Sequence, residues 1–149
     1  MDFCPRLPGR AAPGFNDGVA SIMDLHAGIY RGRVEGRESG SCEARLEVRP
    51  VPGGCLAVDY EAVGPDGLQH VEHTVVSPDA LHVAHSEGVG VQVFTRTADG
   101  VFDGPDSGPY RQRLAVAWDG AKLLWSWHWA PLGQEPQEQS RAVLRPAAG

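Results

Sequence analysis

From His26 onward, apolar residues recur at every second position in runs of strand length, and turn-forming residues separate the runs. This pattern restricts the chain to antiparallel sheet, because nothing between two runs is long enough for the crossover that parallel pairing needs. The turns fall at Arg37–Gly40, Pro50–Gly54, Gly64–Gly67, Ser77–Ala80, Glu87–Gly88, Asp99–Gly100 and Asp119–Gly120. Asp-Gly pairs suit hairpin turns, since glycine tolerates positive φ. Strands are expected near residues 28–36, 41–49, 55–63, 68–76, 81–86, 89–97, 101–103, 110–118, 121–129 and 139–145. A sheet of about eight to ten twisted strands removes its exposed edges by closing on itself. The expected fold is therefore all-β, an antiparallel up-and-down β-barrel.

Ahead of the strands, Asn16 or Asp17 is placed to cap a short helix over 18–25, with Val19, Ile22 and Met23 on one face. That helix is expected to cover one end of the barrel. Residues 1–15 read as a flexible arm, and 16–149 as a single barrel domain. The arm has no apolar core of the kind a signal peptide carries, which points to the cytoplasm. The 13 basic residues are scattered, and the net charge is −6. Nucleic acid, whose phosphates demand clustered Lys and Arg, is not an expected partner. No apolar run is long enough to span a bilayer as a helix, so no membrane partner is expected either.

Hairpin registers assign faces to the strands. A two-residue loop at Asp119–Gly120 sets Trp118 opposite Ala121, Leu114 opposite Trp125, Gln112 opposite Trp127 and Tyr110 opposite Trp129. The other face then carries Arg111, Arg113, Lys122, Ser126 and His128. Upstream, the Gly64–Gly67 turn groups Leu56, Val58 and Tyr60 with Val71, His73 and Val75. The next two turns extend that face to His82 and Ala84, and then to Val89, Val91 and Val93. Asp59, Glu61, His70, Glu72 and His85 fall outside. Cys42 is expected inside and Cys55 outside, a placement that disulfide geometry does not allow to bridge.

Three features of this reading carry chemistry. His73 and His82 project inward as diagonal neighbours, about 7–8 Å apart at the backbone. Such a pair suits a general acid/base or a polar contact to a ligand. No inward Asp or Glu stands beside them, which weakens a triad or a zinc site. An aromatic wall of Tyr60, Tyr110, Trp125, Trp127 and Trp129, with Gln112 among them, suits a planar apolar ligand. Asp59, Glu72 and His85 form an outer row that reads as a solvated charge ladder, so no metal site is expected.

Gly28-x-Tyr30-x-Gly32, at the opening of the first strand, resembles the G-x-W-x-G start of lipocalin-like (calycin) barrels. Nitrobindin-like and fatty-acid-binding-protein-like families are among them. The resemblance implies a barrel whose floor is closed by the aromatic residue, with an interior ligand cavity. Nitrobindin-like proteins bind haem through a histidine just before the last strand, and Gln139 stands at that position here. The resemblance therefore implies a fold and a cavity without the haem site, and the cofactor stays unknown. The expected function is binding of a small apolar or aromatic molecule. The alternatives are a small-barrel isomerase, cyclase or lyase using His73 or His82, and a filled barrel serving as an interaction module, with a homodimer as one possible assembly.

Overall fold

The computed structural model describes residues 21–36 and 40–147, and within them ten strands form one closed antiparallel barrel. The strands are β1 (Gly28–Gly36), β2 (Gly40–Val51), β3 (Cys55–Gly64), β4 (Gly67–Val76), β5 (Ala80–His85), β6 (Gln92–Ala98), β7 (Val101–Asp103), β8 (Tyr110–Trp118), β9 (Leu123–Pro131) and β10 (Gln137–Pro146). Each pairs with the next in sequence, and β1 pairs with β10 to close the ring. The up-and-down order is the one expected of short turns between alternating segments.

Among the described residues helix is confined to one short turn, in place of the longer helix expected over 18–25. A single 3-10 turn, Ile22–Asp24, precedes β1; Ser21 caps it, its hydroxyl accepting from the Met23 amide at 3.1 Å. Ile22 and Leu25 are buried against the barrel core. The expected caps, Asn16 and Asp17, lie outside the described residues, as do the arm over 1–15 and Cys4.

The Gly-x-Tyr-x-Gly segment shows why its residue types are needed. Gly28 has φ of +139°. At Gly32, β10 comes so close that a Cβ would lie 1.7 Å from the Val143 carbonyl oxygen. Between them Tyr30 is buried, its hydroxyl donating to the His26 carbonyl at 2.7 Å and its ring edge-on to Trp118 at 5.7 Å.

The two registers that define the interior depart from expectation in different ways. In the β8–β9 hairpin Trp118 faces Leu123, Leu114 faces Trp127 and Gln112 faces Trp129. The loop has four residues, because the Asp119 side chain accepts from the Ala121 and Lys122 amides, both at 2.8 Å, and widens the turn. This is a slip of two, so every side chain keeps its face. In the β3–β4 hairpin Val63 faces Leu68 but Ala62 faces His70, leaving Gln69 as a bulge. One extra residue exchanges the two faces of everything downstream.

The bulge overturns the expectation that His73 and His82 look inward. Both are exposed, as are Val71, Val89, Val91 and Val93, while Glu72, Thr74, Val76, Leu81, Val83 and Phe94 are buried. Within β4–β5–β6 the expected partners are right: His82 sits between Val75 and Val93. The group of strands is turned inside out as a unit. Asp59 stays outside, where it pairs with His73 and with Arg49. Glu72 and His85, expected beside it in an outer charge ladder, are on the inner face. Cys42 is buried and Cys55 half-buried, and both are free thiols.

Candidate functional site

A cavity of about 480 Å³ lies within the barrel. Its walls include Tyr60 from β3, His70 from β4, His85 from β5, Gln112 from β8, and Trp127 and Trp129 from β9; Tyr110 and Glu87, both largely exposed, stand at its rim. The aromatic residues singled out in the sequence meet here, except Trp125, which packs in the core behind the wall and stacks on Tyr60 at 6.4 Å.

Glu72 organises the polar side of this cavity. It is fully buried, and its carboxylate accepts from the Trp125 indole at 3.0 Å, from the Trp127 indole, and from His70 Nε2 at 2.7 Å. A buried carboxylate requires such a set of donors, since desolvation leaves it no water. The Trp-x-Trp spacing on one face of β9 supplies two of them, and β4 supplies the third through His70, two residues away on the same face. The inner carboxylate that seemed missing from the sequence is therefore present, masked by the bulge.

His70 is held at both nitrogens, Nε2 by Glu72 and Nδ1 by Glu87. Burial alone would lower its pKa, but the two carboxylates outweigh this and raise it. With both nitrogens donating, the ring is an imidazolium. His85 lies 5.8 Å from it, ring to ring, and 5.1 Å from Trp127. Its Nδ1 accepts from the Glu87 amide at 3.2 Å, which leaves the proton on Nε2; that nitrogen is buried and has no partner among the described residues. Gly88 packs on this ring, where a Cβ would lie 2.9 Å from Nε2. Burial, with Glu72 close by, pushes the Tyr60 phenol up, so it stays a neutral hydroxyl. The Gln112 amide donates to Gln92 at 3.1 Å and to the Pro105 carbonyl at 2.9 Å, leaving its oxygen to accept.

Gln139 also lines the cavity, and its amide donates to the Trp129 carbonyl at 3.2 Å. A carboxamide is not among the usual axial ligands of haem iron, and the His70 nitrogens are both committed to carboxylates. Gln139 and His70 thus offer haem iron no axial ligand.

On the outer surface of β9, His128 and Ser126 are buried although the alternation faces them away from the core. The chain after β9 is fastened over this face: Arg111 donates to the Gln134 carbonyl at 3.2 Å and Arg113 to Glu135 at 2.8 Å. Burial, then the charges of Arg113 and Arg141, hold His128 down at about 4. The 131–136 stretch is thus a strap on the outside of β8 and β9.

Fold and site together define a closed ten-strand barrel with an aromatic cavity built around a buried glutamate. Among solved structures, a protein of the same fold is Rv2717c from M. tuberculosis, with a TM-score of 0.61 and 19% identity over 99% of this chain and 100% of that one. At this identity the likeness concerns the fold alone. No protein-family model matches the chain, and no curated protein does.

Proposed function

We propose that the protein is a calycin-like barrel that binds a small, largely aromatic molecule in its interior. The observation that carries this reading is the cavity of about 480 Å³ with Tyr60, Trp127 and Trp129 in its walls and the Gln112 oxygen beside them. A few hundred Å³ is the size of small-molecule sites, and planar walls with a few fixed polar groups are their usual chemistry. The family assignment rests on the Gly28-x-Tyr30-x-Gly32 opening, where Tyr30 plugs the barrel against Trp118 and Gly32 admits β10. A filled barrel would leave no such space.

An acid/base enzyme is the less favoured reading. His70 has both nitrogens on carboxylates and no free lone pair. His73 and His82 face the outer surface, so a catalytic role for them would have to be played there. The test of the binding reading is native mass spectrometry of protein purified from its own cells, paired with tryptophan fluorescence under apolar aromatic probes. A bound mass that denaturation releases, and emission that shifts with the probe in a saturable way, are the expected results. A protein that carries nothing and answers to no probe would overturn it.

A further inference from the structure

The charge arrangement around the cavity narrows the ligand class, an argument that rests on the binding reading above. Among the described residues, neither Lys nor Arg lines the cavity. The cationic side chain among the described lining residues, His70, is already clamped between Glu72 and Glu87. Two carboxylates against one imidazolium leave an excess negative charge at the cavity, on its solvent-open side at Glu87. A carboxylate ligand would enter that field with no free cation among the described lining residues to meet it.

The neutral polar groups supply both donors and an acceptor. Tyr60 is 5% exposed and its hydroxyl has no partner among the described residues. The Gln112 amide nitrogen is fully engaged and leaves only an acceptor oxygen. Around them stand the rings of Tyr60, Tyr110, Trp127 and Trp129, residue types whose quadrupoles attract cations. Aromatic walls, the Gln112 acceptor oxygen and a half-exposed carboxylate at the rim make up the chemistry that recognises organic ammonium groups, while the Tyr60 hydroxyl and the His85 Nε2–H are left to donate to a neutral acceptor on the same ligand.

We infer that the cavity selects a small aromatic ammonium compound over neutral and anionic molecules of the same shape, with Glu87 and the Trp127 and Trp129 faces holding the cation. Glu72 sets the position of His70 and of the indoles; Glu87, on the β5–β6 turn, is the carboxylate open to solvent.

The experiment titrates the full chain, at fixed ionic strength, with phenyltrimethylammonium, its neutral isostere tert-butylbenzene, and phenylacetate, following tryptophan emission. The ammonium should bind about tenfold more tightly than the isostere, in line with a desolvated cation–π contact plus a carboxylate. Phenylacetate should bind weakest. Glu87→Gln should shrink the gap between ammonium and isostere, and Trp129→Leu should shrink it further. Phenylacetate binding as tightly as the ammonium, or a gap unmoved by Glu87→Gln, would overturn the inference. Binding of the isostere without preference for the ammonium would leave the binding barrel standing and end only its cation selectivity. If none of the three binds, both fall together.

Discussion

Glu72 is the side chain on which most of the interior depends. Its three donors come from β4 and β9, so removing it strands two indole N–H groups and leaves His70 with Glu87 alone. Glu72→Leu should cost about 3–5 kcal/mol, the penalty for breaking a buried charge cluster from one side. Trp127→Phe, which deletes one donor, should cost about 1.5–3 kcal/mol. Urea denaturation measures both, and a loss below about 1 kcal/mol for Glu72→Leu would contradict the assigned network. His128 offers a pH test. Its folded value, about 4, lies below the ordinary 6.5, so the unfolded chain takes up the proton first as pH falls. Stability should therefore be complete above about pH 6.5 and decline by on the order of 3 kcal/mol toward pH 4. Denaturation midpoints across that window should fall less in His128→Gln than in the parent. His70 acts with the opposite sign: its pKa is raised, so its contribution is full below the ordinary value and is lost as pH rises through the folded one.

The strands show which parts of the fold are legible in a single sequence. All ten were visible from alternation and turns, with ends displaced by at most three residues. Faces were harder, because they depend on whether a register slip is odd or even. The wider turn at Asp119 shifted β9 by two and did no harm, so Gln112, Trp127 and Trp129 were assigned inward correctly. The bulge at Gln69 shifted β4 by one and hid His70, Glu72 and His85. A signal was present: Leu81, Val83 and Phe94, the bulkiest apolar residues of β5 and β6, all belong to the parity that buries Glu72. Exposed valines on the other parity outvoted them. Deleting Gln69 should force β4 into the unbulged register, push Glu72 outward and abolish cooperative thermal unfolding as followed by circular dichroism. A deletion variant that melts like the parent would show that the bulge does not set the face. Gly32→Ala, which drives a Cβ into the Val143 carbonyl, should destabilise by more than about 4 kcal/mol or prevent folding.

Over the molecule as a whole, closure of the sheet and the single odd slip together decide what the cavity contains. With β1 paired to β10 there is no free edge, and every inward side chain must be either core or cavity wall. One end is packed by Tyr30, Trp118 and the Ile22–Asp24 turn; the aromatic space bounded by His70, His85 and Trp129 remains a cavity. The strap over 131–136 binds to the outside of β8 and does not enter that space.

Histidine modification by diethyl pyrocarbonate, resolved by peptide mass spectrometry on the folded protein, reads this placement most directly. His73 and His82 should react quickly, while His70 and His85 should stay protected until the chain is unfolded. Protection of residues 73 and 82 with rapid labelling of 70 and 85 would put the imidazoles on the opposite surfaces and remove the glutamate-centred interior altogether.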